Sequence, residues 1–152
     1  MIHLLKYDRK TLIAERLGLL LGNLFISYPE LSDTDVIIPV PLHRTRMRER
    51  GYNQSLLLAK KVSLISGKEL CYKVVARTKA TKSQTALDNE KRRENLKNAF
   101  SVVEPQKIKN KSVLVVDDVM TSGTTLDEIA KSLLESGADS VYGLILARAL
   151  SV

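Results

Sequence analysis

Cysteine, tryptophan and long apolar runs are what this sequence has least of. The chain has no tryptophan, and Cys71 is its one cysteine. A single cysteine excludes a disulfide framework and a cysteine-based zinc site, so we expect no zinc in this chain. The longest apolar run, Leu17 to Ile26, is broken by Gly18, Gly22 and Asn23 and is too short to cross a bilayer. With no signal peptide, we expect a cytoplasmic protein whose membrane contact, at most, is peripheral at the inner face.

The size and the charge of the chain indicate how many domains it has and which ligands it attracts. With 152 residues, 44% of them hydrophobic, the chain suits one α/β domain with a true core, and we predict a single domain over residues 1–152. The net charge of +7 is uneven: a first basic segment, His43–Lys61, carries +5 and a second basic segment, Arg77–Lys97, carries +4, which leaves −2 elsewhere. Such local fields attract polyanions, either pyrophosphate or a nucleic acid backbone.

A thirteen-residue stretch, Val113–Thr125, organises the rest of the chain. Val113–Val116 has no polar alternation and predicts a parallel strand buried on both faces. Asp117 and Asp118 follow at its expected carboxyl end, where open α/β sheets place their ligands. Because successive strand residues point to opposite faces, both carboxylates reach one ligand only if the strand ends there.

The loop after the acid pair predicts a phosphate site. It is rich in hydroxyl groups around Gly123, which permits a close backbone approach or a positive φ, and a helix follows whose N-terminus suits an anion. Together the parts describe a ribose 5-phosphate site. Its predicted residues are Asp117, Asp118, Val119, Met120, Thr121, Ser122, Gly123, Thr124 and Thr125. The alternative is that these polar residues only cap the helix, although capping needs one of them and the stretch has six.

A second candidate loop follows an earlier strand, Asp35–Val40, where two prolines interrupt the hydrogen-bonding ladder. Alternating arginines come next, and we interpret them as part of a loop that lines a pyrophosphate site; a solvated basic surface is the alternative. The candidate residues are Val40, Pro41, Leu42, His43, Arg44, Arg48 and Arg50. For His43 a structural role is at least as plausible as a chemical one.

The other elements complete a βαβ order. A helix over residues 10–26 has an apolar face of Leu12, Ile13, Leu17, Leu20, Leu21 and Leu24. A second helix begins with Asn53 or Ser55 as its cap and ends before Gly67. We predict strands at Glu69–Ala76, Ala99–Val103 and, buried, Val141–Leu146, a helix within 86–96, and a helix after the motif that Gly137 stops.

The polar region 77–104 is predicted to form a hood with a flexible loop beside the phosphate site. Its candidate residues are Arg77, Lys79, Thr81 and Gln84. A lid that closes over the ligand and a solvent-exposed linker remain equally good interpretations of this region.

The stretch Val113–Thr125 resembles, at all thirteen positions, the motif with which type I phosphoribosyltransferases bind 5-phosphoribosyl 1-pyrophosphate (PRPP). The wider pattern, including Val40-Pro41-Leu42-His43 and Arg50-Gly51-Tyr52-Asn53-Gln54, is similar to the ComF family over nearly the whole chain. The resemblance implies a type I phosphoribosyltransferase fold, that is, an α/β fold with a parallel sheet flanked by helices and a small hood.

The resemblance also implies function. It assigns PRPP as ligand, with Mg²⁺ held through that ligand near Asp117 and Asp118, and a role in DNA uptake during natural transformation. Single-stranded DNA and the competence DNA-translocation machinery are candidate partners. The alternative is an active transferase that passes ribose 5-phosphate to a nucleobase or amine, but no catalytic base stands out. The family's four-cysteine zinc ribbon is missing from this chain, and the oligomeric state stays open.

Overall fold

The chain folds into a four-stranded parallel sheet with helices on both faces, a result taken from a computed structural model that describes residues 2–80 and 89–149. The helices are α1 (Ile2–Ser27), α2 (Arg44–Arg50), α3 (Gln54–Ser66), α4 (Asn89–Leu96) and α5 (Thr124–Glu135). The strands are β1 (Val36–Pro39), β2 (Glu69–Leu70), β3 (Val75–Arg77), β4 (Phe100–Val102), β5 (Ser112–Met120) and β6 (Ser140–Arg148). Short 3₁₀ turns cover Pro29–Leu31 and Pro105–Lys107. The predicted α/β fold class is confirmed.

The sheet has the order β2-β1-β5-β6, and every pair in it is parallel. In the register, Val36 lies opposite Val113 and Pro39 lies opposite Val116. Pro39 lacks an N–H, and it ends β1 at a point where β2 has already stopped, so no ladder bond is lost there. The two central strands therefore deliver their carboxyl ends to one edge of the sheet.

Two apolar clusters, one on each face, hold the sheet. Strand residues alternate between them: Leu114 and Val116 pack with α1 and α3, whereas Val113 and Val115 pack with α5 and the β3–β4 pair. The antiparallel β3–β4 pair forms a separate two-stranded sheet. The predicted strand Glu69–Ala76 is thus wrong in detail, because its two ends belong to β2 and β3 in different sheets.

Helix α1 buries a different face from the predicted one. Of the expected apolar residues only Leu21 is fully buried, while Leu12, Ile13, Leu20 and Leu24 are exposed. The buried side of α1 consists of Ala14, Gly18, Leu21, Gly22 and Phe25. A Cβ added at Gly18 would lie only 2.7 Å from Lys61 Cβ, so a larger residue there would keep α3 away. Close approach to α3, not leucine periodicity, therefore selects the packing face.

The last strand is also less buried than predicted. β6 lies at the edge of the sheet, and of its nine residues only Leu144 is buried. An edge strand contacts a neighbour on one side alone, which leaves its apolar residues half-covered. Among the described residues, no helix is long and apolar enough to span a membrane.

Candidate functional site

A cavity of about 600 Å³ opens at the carboxyl ends of β1 and β5, a volume typical of small-molecule sites. Among the residues that the structure describes, the lining comes from the β1–α2 connection, α2, the start of α3, the segment from the end of β3 to Ala80, and the stretch from β5 into α5. The lining residues are Val40, Pro41, Leu42, His43, Thr45, Arg46, Glu49, Arg50, Asn53, Gln54, Ser55, Arg77, Ala80 and every residue from Asp117 to Leu126. The nine residues predicted for ribose 5-phosphate therefore all border one cavity.

The two carboxylates of the acid pair lie in different environments. Asp117 is buried, and its Oδ1 accepts hydrogen bonds from Ser55 Oγ at 2.8 Å and from the Asp118 N–H at 2.9 Å. Burial raises the pKa of Asp117 to about 6; the Ser55 hydrogen bond opposes this rise and the charge of Asp118 adds to it. Asp118 is half-exposed, and its Oδ1 accepts the Val119 N–H at 2.8 Å.

Strand β5 does not end at the acid pair, as we had expected, but continues to Met120. Its extra length pairs with β6 alone, since β1 stops opposite Val116. The N–H of Asp118 donates to the carboxylate of Asp117 and not to a neighbouring strand. The strand is therefore open on one side at this point, and both carboxylates border the same cavity.

The loop after β5 leads into α5 without a side-chain cap. Gly123 is the N-cap residue with φ of 82°, and no side chain of the described residues makes a capping hydrogen bond there. The hydroxyls of Ser122 and Thr124 bond to each other at 2.9 Å. The interpretation of these residues as mere helix caps is therefore wrong. An N-terminus without a side-chain cap retains donors for an anion.

The first basic segment is helical where we predicted a loop. Arg44–Arg50 forms α2, and His43 caps it, with Nδ1 accepting the Thr45 N–H at 3.3 Å. This structural role of His43 accompanies its place in the cavity wall. The run of residues before α2, Val40–His43, lies along the cavity as predicted.

Residues two positions apart in an α-helix point to different sides of it, so the alternating arginines of α2 do not all face the cavity. Arg50 lines the cavity, but Arg44 and Arg48 are exposed and do not line it. Arg46, which belongs to the alternating run but was not among the candidate residues, does line it. The signal for Arg46 was present: on a helix, residues 46, 49 and 50 share one face, and all three line the cavity.

The hood candidates divide into three cases. Arg77 ends β3 in the cavity wall, with its guanidinium carbon 5.6 Å from the centroid of the Phe100 ring. Burial and the charge of Arg46 lower the pKa of Arg77, and the charge of Asp117 opposes this. Lys79 lies outside the cavity lining, where its Nζ donates to the Lys97 carbonyl at 2.8 Å. Thr81 and Gln84 lie outside the described residues.

Two further residues that sequence reasoning did not place in the site are Asn53 and Ser55. Both begin α3 and line the cavity. Asn53 is the N-cap residue of α3, as the sequence suggested, and its Nδ2 also donates to the Val40 carbonyl at 3.0 Å. A helix-cap pattern predicts the first of these roles and gives no sign of the second.

The donor set of the cavity suits magnesium only through a ligand. Within residues 2–80 and 89–149, no group of three or more histidine, cysteine or acidic side chains could hold a metal ion. Asp117 and Asp118 supply two carboxylates, and Mg²⁺ is commonly held by one or two carboxylates together with substrate phosphates. These residues therefore fit a magnesium ion that arrives with a phosphorylated ligand.

Comparisons with known proteins identify the class to which this fold and cavity belong. The family model for the phosphoribosyl transferase domain matches residues 53–149, more than half of the chain. The solved structure of glutamine PRPP amidotransferase from B. subtilis is similar over 88% of this chain and 26% of its own, with a TM-score of 0.57 and 23% identity. That likeness concerns the fold alone.

Closer relatives carry names that refer to DNA. The chain is 40% identical over 153 residues to "DNA utilization protein YhgH" of Escherichia coli O157:H7, covering 99% of this chain and 66% of that protein. It is 41% identical over 121 residues to "Competence protein F" of Haemophilus influenzae, covering 79% and 53%. The chain thus spans at most about two thirds of these curated relatives. It belongs to the phosphoribosyl transferase domain family and, within it, to the ComF family.

Proposed function

We propose that this chain binds PRPP in the cavity at the carboxyl edge of its sheet. The observation that carries this proposal is the junction of β5 and α5: an acid pair, then Gly123 at positive φ, then a helix N-terminus without a side-chain cap. The 5-phosphate would lie against the backbone donors and hydroxyls of Thr121–Thr125. The ribose hydroxyls would donate to Asp117 and Asp118.

The pyrophosphate of PRPP would lie against the basic part of the cavity lining. Arg46 on α2 and Arg77 on β3 line the cavity together with Val40–His43. Arg46 lies close enough to Arg77 for its charge to lower the pKa of Arg77. A polyanion placed between two such cations relieves their repulsion. Mg²⁺ bound with the ligand would neutralise further charge on the pyrophosphate.

We further propose that the chain handles single-stranded DNA during DNA uptake. This part is supported by the names of its relatives, which refer to DNA utilization and competence, and by the two basic segments. Arg44 and Arg48 stay exposed on α2 outside the cavity, so cations remain for a phosphate backbone when PRPP is bound. Few aromatic side chains are present, 5% of the chain, so base stacking adds little.

Calorimetric titration of PRPP in the presence of Mg²⁺ tests the ligand assignment. Wild-type chain should bind, and the double variant Asp117→Ala/Asp118→Ala should not, while its circular dichroism spectrum stays unchanged. Asp139→Asn provides the control, since Asp139 is an exposed acid outside the cavity lining. Wild-type affinity in the double variant would show that the site is assigned to the wrong residues.

A second titration separates DNA handling from enzymatic turnover. Single-stranded oligonucleotide affinity is measured with and without saturating PRPP at two salt concentrations. A change in DNA affinity must be matched by an equal change in PRPP affinity, because linkage is reciprocal. PRPP binding that is indifferent to DNA, together with pyrophosphate release on addition of a nucleobase or amine, would instead favour the transferase.

A further inference from the structure

The start of α3 makes hydrogen bonds to two separate parts of the cavity wall. Asn53 Nδ2 donates to the carbonyl of Val40, in the connection that leads to α2, at 3.0 Å. Two residues later, Ser55 Oγ donates to Oδ1 of Asp117, in β5, at 2.8 Å. One turn of helix thus contacts the side proposed for pyrophosphate and the side proposed for ribose.

The bond between Ser55 and Asp117 is buried at both ends. The relative exposures are 5% for Ser55 and 9% for Asp117, so water does not readily replace either partner. The Ser55 hydroxyl and the Asp118 N–H both engage the same oxygen, Oδ1. Two donors on one oxygen select a single orientation of the carboxylate. The bond also joins residues 62 positions apart, which no local constraint would bring together.

The element that carries these contacts is rigid. Asn53 caps α3 through Oδ1, which accepts the Leu56 N–H at 3.4 Å. One turn further on, Leu58, Ala59 and Val62 are almost completely buried against the sheet. A side chain on such a helix start has little freedom to shift, so its hydrogen bond transmits a fixed position to its partner.

We propose that Ser55 is a positioning residue that sets the orientation of the Asp117 carboxylate for the ribose of the ligand, while Asn53 sets the Val40–His43 run for the pyrophosphate. The inference rests on the proposed PRPP site. It adds a role for α3, which lies outside the thirteen-residue motif Val113–Thr125 in the sequence. Through Asn53 and Ser55, the start of this helix holds the ribose part and the pyrophosphate part of the site in fixed positions relative to each other.

The test separates the two halves by using partial ligands. Ser55→Ala should weaken PRPP and ribose 5-phosphate by about tenfold or more, as for loss of a hydrogen bond to a charged group, and leave inorganic pyrophosphate within about twofold. Asn53→Ser retains a helix cap but is too short to reach Val40, so it should weaken pyrophosphate and spare ribose 5-phosphate. Ser55→Thr keeps the hydroxyl and should restore the binding of ribose 5-phosphate.

Matched variants show whether an effect is only structural. Ser63→Ala removes a comparable side-chain bond on the same helix, to the Lys68 carbonyl. Because neither Ser63 nor Lys68 lines the cavity, this variant should change no ligand affinity. If Ser55→Ala cannot be titrated because it unfolds, Ser55→Cys, close in size and a weaker donor, should show the same split between the partial ligands.

Failure of the inference differs from failure of the proposed function. Unchanged ribose 5-phosphate affinity in Ser55→Ala, or an equal loss for ribose 5-phosphate and pyrophosphate, overturns the positioning role while PRPP binding stands. Absence of PRPP binding in the wild-type chain overturns the proposed function itself.

Discussion

Asp117 is a residue at which the proposed binding of PRPP and the stability of the fold oppose each other. Its carboxyl group is buried, and its pKa rises from an ordinary 3.8 to about 6. The folded state therefore binds a proton more tightly than the unfolded state, and stability declines as the pH rises from about 4 to about 6. Above that range the cost of the buried charge is fully present. A site that keeps such a carboxylate gives up stability for an oriented anion.

Asp117→Asn should stabilise the unliganded chain. The amide oxygen can still accept from Ser55 and from the Asp118 N–H, while the charge is removed. At pH 7.5, without Mg²⁺ or PRPP, we expect a gain of roughly 1–3 kcal/mol in the free energy of unfolding, from the size of the pKa shift. Urea unfolding at several pH values measures it. The gain should fade towards pH 4; a gain that does not depend on pH would contradict a burial cost on the charge.

At the scale of elements, α2 decides which arginines face the cavity. Arg46 faces the cavity, and Arg48, two residues along the same helix, does not. Arg46→Ala should weaken PRPP and pyrophosphate by about tenfold or more, since a charge-assisted contact in a partly desolvated site is lost. Arg48→Ala is the matched control and should keep both affinities within about twofold. Equal losses in the two variants would mean that the segment binds the ligand as an extended loop and not as a helix.

The contact between α1 and α3 depends on the absence of side chains. A Cβ at Gly18 would meet Lys61 Cβ at 2.7 Å and Cγ at 2.9 Å, and Lys61 Cβ cannot move without its backbone. Gly18→Ala gains about 1 kcal/mol of helix propensity but incurs an overpacking cost of about 1–3 kcal/mol. We therefore expect a lower urea midpoint. Asn23→Ala, on the exposed side of α1, gains propensity without the clash and should raise the midpoint; a rise in both would show that α1 sits further from α3.

Helices α1 and α2 show where prediction from the sequence reached its limit. Leucine spacing in α1 favours Leu12, Leu20 and Leu24 as the buried face, yet glycines let α3 approach on another side, and that choice depends on a helix distant in sequence. In α2 the alternation of arginines indicated an extended loop. The helix forms because His43 caps it and Gly51, at φ of 78°, ends it, and these signals are weaker than the charge pattern that obscured them.

At the scale of the whole molecule, prediction was most successful where one local pattern sufficed. Val113–Thr125 carries its own strand, turn and helix start, so the sequence indicated both the fold class and nine neighbouring residues of the cavity wall. The contributions of Asn53 and Ser55 to the cavity could not be found in this way. They depend on how α3 docks over the ends of β1 and β5, which is a tertiary property without a local pattern.

The distribution of charge over the molecule leads to a final prediction, for single-stranded DNA. Since the chain has no tryptophan and few other aromatics, binding should be mostly electrostatic, and its affinity should fall steeply with salt. Arg44 and Arg48 lie on the outer side of α2, away from the cavity. Replacing both with alanine should reduce the slope of log K against log salt by about 1.4, from about 0.7 for each phosphate contact on a single strand.

Fluorescence anisotropy of a labelled oligonucleotide between about 50 and 200 mM salt, the range over which such contacts lose most affinity, measures this slope. The PRPP affinity of the same double variant serves as the internal control and should not change, because neither arginine lines the cavity. An unchanged salt slope would place the DNA on the second basic segment. A parallel loss of PRPP affinity would instead mean that α2 contributes its charges to one shared anion site, so that DNA and PRPP exclude each other.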